Sequence, residues 1–194
     1  MRLPRHGKLA FPSKQAREEK MKRRGFTLVE LLVVLAVGSI LLAIAVPGYG
    51  FLVEVGRLSA ATNELVAAMH FARSESIKRG VRISLCTTSS PTAAVPVCDP
   101  TANWHQGWLV FEDGGTRGVL DQQDVLLRVG QDDLWRDISV TPSNFSHHIS
   151  YLSNGMSQGP NNLGNGKLVL CLQHMERQIV VSVTGRIRLV TGNC

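Results

Sequence analysis

Acidic residues and histidines are the first candidates for catalysis or metal binding in this sequence. Asp113, Asp121 and Asp124 lie in one glycine-containing segment, but their spacing differs from the calcium-binding Asp-x-Asp-x-Asp-Gly loop with its distal glutamate. A solvated turn is the simpler interpretation. The histidines are adjacent at 147–148 and otherwise scattered, and no nucleophile elbow, phosphate loop or dinucleotide fingerprint follows a suitable strand. We therefore predict no catalytic residue, no metal site, no cofactor and no enzymatic activity.

One acidic residue lies where an acid is costly. Glu30 is the only charged residue between Phe26 and Val46, a run of roughly twenty residues that can cross a hydrocarbon core of about 30 Å as a helix. A carboxylate inside such a core costs about 2–4 kcal/mol and usually has a function. The alternative is a Glu30 that is protonated or reaches the membrane interface.

The positive charge of the chain is concentrated before this apolar run. Residues 1–25 contain nine lysines and arginines and two glutamates, a net charge of +7, whereas residues 51–194 are neutral. The sequence pI near 9.5 therefore describes the N-terminal segment and does not by itself indicate a nucleic-acid partner. Positive charges before a span hold that end in the cytoplasm, which places residues after the span on the other side.

Residues 25–30, Gly-Phe-Thr-Leu-Val-Glu, directly follow Lys-Arg-Arg and precede the apolar run. This order resembles the processing site of the type IV pilin and type II secretion pseudopilin superfamily. The resemblance implies that a prepilin peptidase cleaves between Gly25 and Phe26 and that Phe26 is N-methylated. It also implies that Glu30 pairs with the N-terminal amine of a neighbouring subunit. Residues 1–25 are then a cytoplasmic basic leader, with translation starting at Met1 or Met21.

Pro47 and the glycines beside it predict a bend in one helix that runs from about Thr27 to about Arg79, with a transmembrane assembly part at 26–47 and an amphipathic part at 48–80. In the second segment apolar residues recur at helical spacing, and a basic pair before Gly80 marks its end. These apolar positions are Leu52, Val55, Leu58, Leu65, Met69 and Ala72.

From Val81 the apolar period changes to two, and residues 81–194 contain eight strand candidates separated by turns. The first, at 81–86, is expected to be half-buried. Trp104, Trp108 and Phe111 are interpreted as core residues rather than as a base-stacking platform. A long helix followed by strands predicts an α+β fold in which the helix packs on an antiparallel β-sheet head, and the resemblance implies a pilin-like arrangement.

The four cysteines all lie after residue 80, and an even number beyond a membrane helix favours disulfides in an oxidising compartment. Three pairings are possible. We favour Cys86–Cys98, which closes a proline-containing loop, and Cys171–Cys194, which ties the C-terminus to a strand. Free buried thiols are the alternative.

Residues 185–188, Gly-Arg-Ile-Arg, follow a predicted hairpin turn. In a strand Arg186 and Arg188 point to one face, about 7 Å apart, and can contact successive phosphates. The head resembles the FimT, FimU and GspH group of minor pilins, and this motif is similar to the Gly-Arg-x-Arg signature of FimT-type DNA-uptake pilins. Lys167 and Arg177 are expected to extend the surface. The alternative is a charged strand edge or pairing with acids such as Glu176.

The sequence thus predicts a minor type IV pilin in the bacterial inner membrane. It has a single span, a periplasmic head and a later place in a pilus. Its implied partners are other major and minor pilins, the prepilin peptidase, the inner membrane and double-stranded DNA, bound non-specifically during natural transformation. The alternative is a GspH-like minor pseudopilin of a type II secretion system, whose partners are other pseudopilins.

Overall fold

The structure, a computed structural model, describes residues 25–130 and 135–194, with the side chains of residues 45–48 excepted. Residues 1–24 of the predicted leader lie outside the described residues. The chain divides into two compact units, and the boundary falls at Ala45. One helix, α1 (Leu28–Arg79), contributes to both units.

The ends of α1 carry the charges that a helix dipole favours. Glu30 lies in the first turn, and Lys78 and Arg79 lie in the last. The helix ends at Gly80, which has a φ of +70° and donates its N–H to the Ser76 carbonyl oxygen at 3.0 Å. The predicted end of the helix near Arg79 is therefore confirmed, as is the glycine stop.

The described residues after α1 form nine strands, all paired antiparallel and divided between two sheets. The first sheet has the order β3-β2-β1-β5-β6. Its strands are β1 (Ile83–Thr87), β2 (Trp108–Glu112), β3 (Val125–Gly130), β5 (His148–Tyr151) and β6 (Ser157–Gln158). The two-residue β6 was not predicted, because two residues carry no detectable alternation.

The second sheet has the order β4-β7-β8-β9. Its strands are β4 (Ser139–Ser143), β7 (Gly166–Leu172), β8 (Met175–Val181) and β9 (Ile187–Asn193). Leu168 pairs with Ile179, which in turn pairs with Leu189. This row therefore lies on one face of the sheet, the face that contributes Leu168 and Ile179 to the core.

The main core lies between the C-terminal half of α1 and the two sheets. Leu58, Leu65, Met69 and Ala72 are buried as the helical spacing predicted. Leu52 is 67% exposed, so the prediction that it belongs to the buried stripe is wrong for the single subunit. Trp104, Trp108 and Phe111 are buried, which confirms their assignment to the core.

The expectation that the first strand is half-buried is also wrong. Every residue of β1 is buried, because β1 lies in the middle of its sheet and both faces are covered. On the face away from the main core, Cys86 packs with Leu109, Phe111 and the partly buried Leu120 in a second small cluster.

Both favoured cysteine pairings are present in the structure. Cys86 is bonded to Cys98 with a Cα–Cα distance of 5.6 Å, and Cys171 is bonded to Cys194 at 6.3 Å. The first bond fastens the loop after β1 to the central strand of its sheet. The second ties the last residue to β7, and so holds β9 in place at the edge of the second sheet.

Candidate functional site

The predicted processing site lies at the start of α1. Gly25, Phe26 and Thr27 precede the helix, and all three are exposed. The Thr27 hydroxyl oxygen accepts a hydrogen bond from the Glu30 backbone N–H at 3.2 Å, which makes Thr27 the N-cap of the helix. The order Thr-x-x-Glu is that of a capping box, a pattern that the sequence interpretation missed.

The large apolar side chains that the structure describes in the first unit, from Phe26 to Ile44, are exposed. Phe26 is 84% exposed, and the large apolar residues from Leu28 to Ile44 are exposed in the same way. The helix is long and apolar enough to cross a membrane. So much exposed apolar surface requires a lipid or protein environment in the cell. Glu30 is the only charged residue among the described residues of this unit.

Two of the predicted DNA-binding residues lie in one row across the second sheet. Lys167 on β7 and Arg188 on β9 both pair with Val180 on β8, so their side chains share a face. Two strand spacings separate them by roughly 10 Å. Arg186, two positions before Arg188, is exposed. We call these three residues the basic surface.

The basic surface borders an open groove of about 380 Å³. Lys167 and Arg188 line it together with Asn144 and Asn165. None of the three cations forms an ion pair with a carboxylate of the described residues. Glu176, the suggested alternative partner, instead accepts a hydrogen bond from Gln178. The three positive charges are therefore available to an anionic ligand.

Arg177 does not lie on the basic surface. It shares a face with Ile179 and Val181, which are buried in the core, and its guanidinium donates to the Ser59 hydroxyl of α1 at 3.4 Å. The alternation of β8 in the sequence carries this information, because Arg177 is two and four positions from those apolar residues. The structure thus brings Lys167 and Arg188 together, leaves Arg186 exposed just before β9, and places Arg177 on the opposite face of the sheet.

The turn that carries the basic surface is held by a residue of α1. Arg73 donates to the Gly155 carbonyl oxygen at 3.1 Å and to the Thr184 carbonyl oxygen at 2.9 Å. Between them lies Gly185, with a φ of +73°, where an added Cβ would lie 2.2 Å from the Gly155 oxygen and 2.9 Å from the Arg73 Nε. Only glycine can occupy position 185, because any side chain there would clash with the Gly155 oxygen and the Arg73 guanidinium. The sequence indicated the glycine but gave no signal for Arg73, whose partners are distant in the chain.

Replacing Arg73 by alanine is expected to destabilise a fragment of residues 51–194 by about 2 kcal/mol, because the part-buried Gly155 carbonyl oxygen and the exposed Thr184 carbonyl oxygen both lose a charged donor. Urea unfolding measures this loss. Amide exchange of Gly185, whose N–H is bonded to the Ser182 oxygen at 2.8 Å, should accelerate more than exchange in β1. Lys78→Ala removes an exposed cation from the same helix and should change stability by less than about 0.5 kcal/mol. Unchanged exchange at Gly185 would contradict the anchoring role.

Comparisons with known proteins agree with this architecture. The family described as type II transport protein GspH matches residues 61–185, more than half of the chain. The prokaryotic N-terminal methylation motif matches residues 20–46. No curated protein matches the sequence significantly.

Two crystal structures of the type IV minor pilin FimU from Pseudomonas aeruginosa are similar in fold. The first is 21% identical with a TM-score of 0.51, and the match covers 71% of this chain and 90% of that one. The second crystal form is 20% identical with a TM-score of 0.48, over 68% of this chain and 91% of that one. The family match and the methylation motif, rather than this low identity, establish the relationship. The chain belongs to the GspH family, within the superfamily of type IV pilins and type II secretion pseudopilins.

Proposed function

We propose that this protein is a minor type IV pilin that is stored in the inner membrane and then assembled into a pilus through α1. Prepilin peptidase cleaves between Gly25 and Phe26, and the new N-terminus is methylated. Residues 26–47 hold the subunit in the bilayer with the head, residues 81–194, in the periplasm. The observation that carries this proposal is a methylation-motif match over residues 20–46, within which the large apolar side chains from Phe26 to Ile44 are exposed.

The head of this pilin binds double-stranded DNA weakly and without sequence preference through the basic surface. Three observations support this part of the proposal. Lys167, Arg186 and Arg188 have no acidic partner among the described residues. Lys167 and Arg188 stand across an open groove, and β9 lies at the edge of its sheet, where a duplex can approach. Arginine and lysine contact phosphates without reading bases.

The double variant Arg186→Gln/Arg188→Gln is expected to lose most duplex binding. Each phosphate contact adds about −0.9 to the slope of log K against log salt concentration, so three contacts give about −2.7 and the variant about −0.9. The wild-type affinity should fall roughly fortyfold between about 50 and 200 mM salt. Fluorescence anisotropy with a labelled duplex, over a salt series, measures both quantities.

Arg177→Gln is the matched control, because it removes an arginine from the other face of the same sheet. It should bind DNA with the wild-type affinity and salt slope. Equal binding by the double variant and the wild type would remove DNA from the proposal. A loss of log affinity in Arg177→Gln that is about half of the loss in the double variant would show that only net charge matters, since it removes one charge rather than two.

A second candidate function is that of a minor pseudopilin in a type II secretion system, which the match to type II transport protein GspH favours. In that case the partners of α1 are other pseudopilins, and the head contacts proteins rather than DNA. Cross-linking in membranes with a photoreactive residue at position 52, which is exposed on α1, followed by mass spectrometry identifies the neighbours. Pilins support the first function and pseudopilins the second.

A further inference from the structure

A second cavity, of about 260 Å³, lies away from the basic surface. It is formed where the loop after Cys98, the segment after Asp113 and the start of β5 meet. Three of its lining residues carry nitrogen donors, namely Arg117, His147 and His148, and the rest are Cys98, Asp99, Pro100, Gly118 and Val119. None of these residues has a part in the proposed membrane, assembly or DNA-binding functions.

His148 is the most unusual of these residues. It is only 4% exposed, and neither ring nitrogen has a hydrogen-bond partner among the described residues. Its ring packs on Gly118, where an added Cβ would lie 2.4 Å from the ring. Buried polar groups without a partner are costly and rare. The imidazole is therefore fixed at a position where its nitrogens are not satisfied by the protein.

The charged groups around His148 favour an anion. Arg117 keeps a buried Nε without a partner and donates from its terminal nitrogen to the Pro160 carbonyl oxygen at 3.4 Å. His147 lies beside His148, with ring centroids 4.8 Å apart. Burial lowers the pKa of His148 to about 4, and the charges of Arg117 and Arg82 act in the same direction. Burial also lowers the pKa of His147.

Two carboxylates face the same region, and both are engaged by other groups. The side-chain oxygens of Asp99 accept hydrogen bonds from Thr101 and Ser89, which lower its pKa to about 2. Asp113 accepts from Arg82, Ser84 and the Gly118 backbone N–H. Neither is paired with an imidazole. A cationic ligand would be repelled by Arg82 and Arg117, and an apolar ligand would leave the nitrogens unsatisfied.

We propose that this cavity binds a small oxyanion, held by Arg117 and His148 with His147 at its side. Binding requires a small displacement of the groups that cover these nitrogens, since the unpartnered nitrogens are buried. Because an anion favours the protonated imidazoles, binding and proton uptake are linked. The affinity should therefore rise as the pH falls toward the pKa of about 4 that His148 has in the unliganded protein, by at most about tenfold per pH unit for each proton taken up.

Sulfate is a suitable probe, because its charge is constant over this pH range. The full-length chain in detergent is titrated with sodium sulfate at about pH 7.5 and pH 5.5, with sodium chloride at equal ionic strength as the reference. Histidine ring resonances in nitrogen-15 NMR report His148 directly. Saturable shifts of His148 with sulfate, and at least about tenfold tighter binding at the lower pH, are the expected results. A parallel titration with acetate distinguishes a carboxylate from a tetrahedral ligand.

Arg117→Gln should weaken sulfate binding by at least about tenfold, and Arg117→Lys should recover part of the loss. Arg136→Gln, at an exposed arginine of the head, is the matched control and should bind as the wild type does. The Arg186→Gln/Arg188→Gln variant should also bind normally, which separates this cavity from the basic surface. Unmoved His148 resonances, as expected if buried water alone satisfies the ring, would overturn the proposal. So would equal shifts in chloride, or normal binding by folded Arg117→Gln.

Discussion

Replacement of Asp113 by alanine should destabilise the head by about 3 kcal/mol, the largest loss of stability that we expect from a single polar substitution in this protein. The Asp113 side chain is fully buried at the end of β2. One carboxylate oxygen accepts from the Arg82 guanidinium at 2.8 Å. The other accepts from the Ser84 hydroxyl and from the Gly118 backbone N–H, the latter at 2.8 Å.

The size of the loss follows from what remains after the carboxylate is removed. Breaking a buried charge pair costs about 3–5 kcal/mol when the partner stays buried. The Arg82 side chain is 27% exposed and keeps a bond to the Gly115 carbonyl oxygen at 2.7 Å, so the lower end of this range applies. Ser84 retains its contact with the Ser150 hydroxyl at 2.6 Å, whereas the Gly118 N–H loses its acceptor.

Urea unfolding of residues 51–194 under oxidising conditions tests this expectation, with both disulfides intact. Asp113→Asn keeps the shape of the side chain but removes its charge, and should lose roughly 2 kcal/mol. Asp137→Asn makes the same chemical change at an exposed position and should alter stability by less than about 0.5 kcal/mol. Similar losses for the two asparagine variants would mean that the buried network around Asp113 contributes little.

The same network explains why the first strand was predicted only in part. In the sequence, Ser84 alternates with apolar residues and so resembles a solvent-facing position. In the fold it is buried, because Asp113, 29 residues later, supplies the hydrogen bond that makes burial of the hydroxyl tolerable. Alternation identifies a strand, but it does not indicate what covers the polar face.

Features that depend on local spacing were predicted well. The end of α1 follows from a basic last turn and a glycine, and β8 and β9 follow from alternation around Thr184 and Gly185. Both disulfides join cysteines whose positions in loop and strand were evident. The division of the strands between two sheets was not evident, since it depends on pairing between distant segments such as β1 with β5.

The basic surface, too, could be predicted from local spacing only in part. The two-residue period of a strand predicts from residues 185–188 alone that Arg186 and Arg188 share a face. That Lys167 lies in the same row depends on the register of β7 with β8 and of β8 with β9. The anchoring contact of Arg73 spans 111 residues to Thr184, and no sequence period connects two such positions.

Substitution of Glu30 is expected to have the second large effect, which is on filament assembly rather than on the stability of the head. Replacing it by leucine should leave membrane insertion intact, because the apolar run becomes longer without a charge. Incorporation into filaments should fall by about a hundredfold or more. The N-terminal amine of a neighbouring Phe26 would then be buried without its partner, and an uncompensated buried charge costs about 3–5 kcal/mol.

The structure supplies a competing explanation that the experiment must separate. Thr27 caps α1 by accepting from the Glu30 N–H at 3.2 Å, and a glutamate at this position can complete a capping box through its own side chain. Glutamine serves equally well in a capping box but carries no charge. Glu30→Gln should therefore assemble as poorly as Glu30→Leu if the ion pair matters, and as well as the wild type if the cap matters.

The fraction of the chain in sheared filaments and in membranes, measured by immunoblot, gives the result for each variant. Mass spectrometry of the membrane fraction should find the N-terminus at Phe26 in every case, so that failed cleavage is not mistaken for failed assembly. Thr27→Ala removes the cap while retaining the carboxylate, and a helix end without its cap loses only about 1 kcal/mol, so a decrease of about fivefold is expected. Wild-type incorporation of Glu30→Gln would rule out the ion pair, because the neighbouring amine would then have assembled in lipid with no anion beside it.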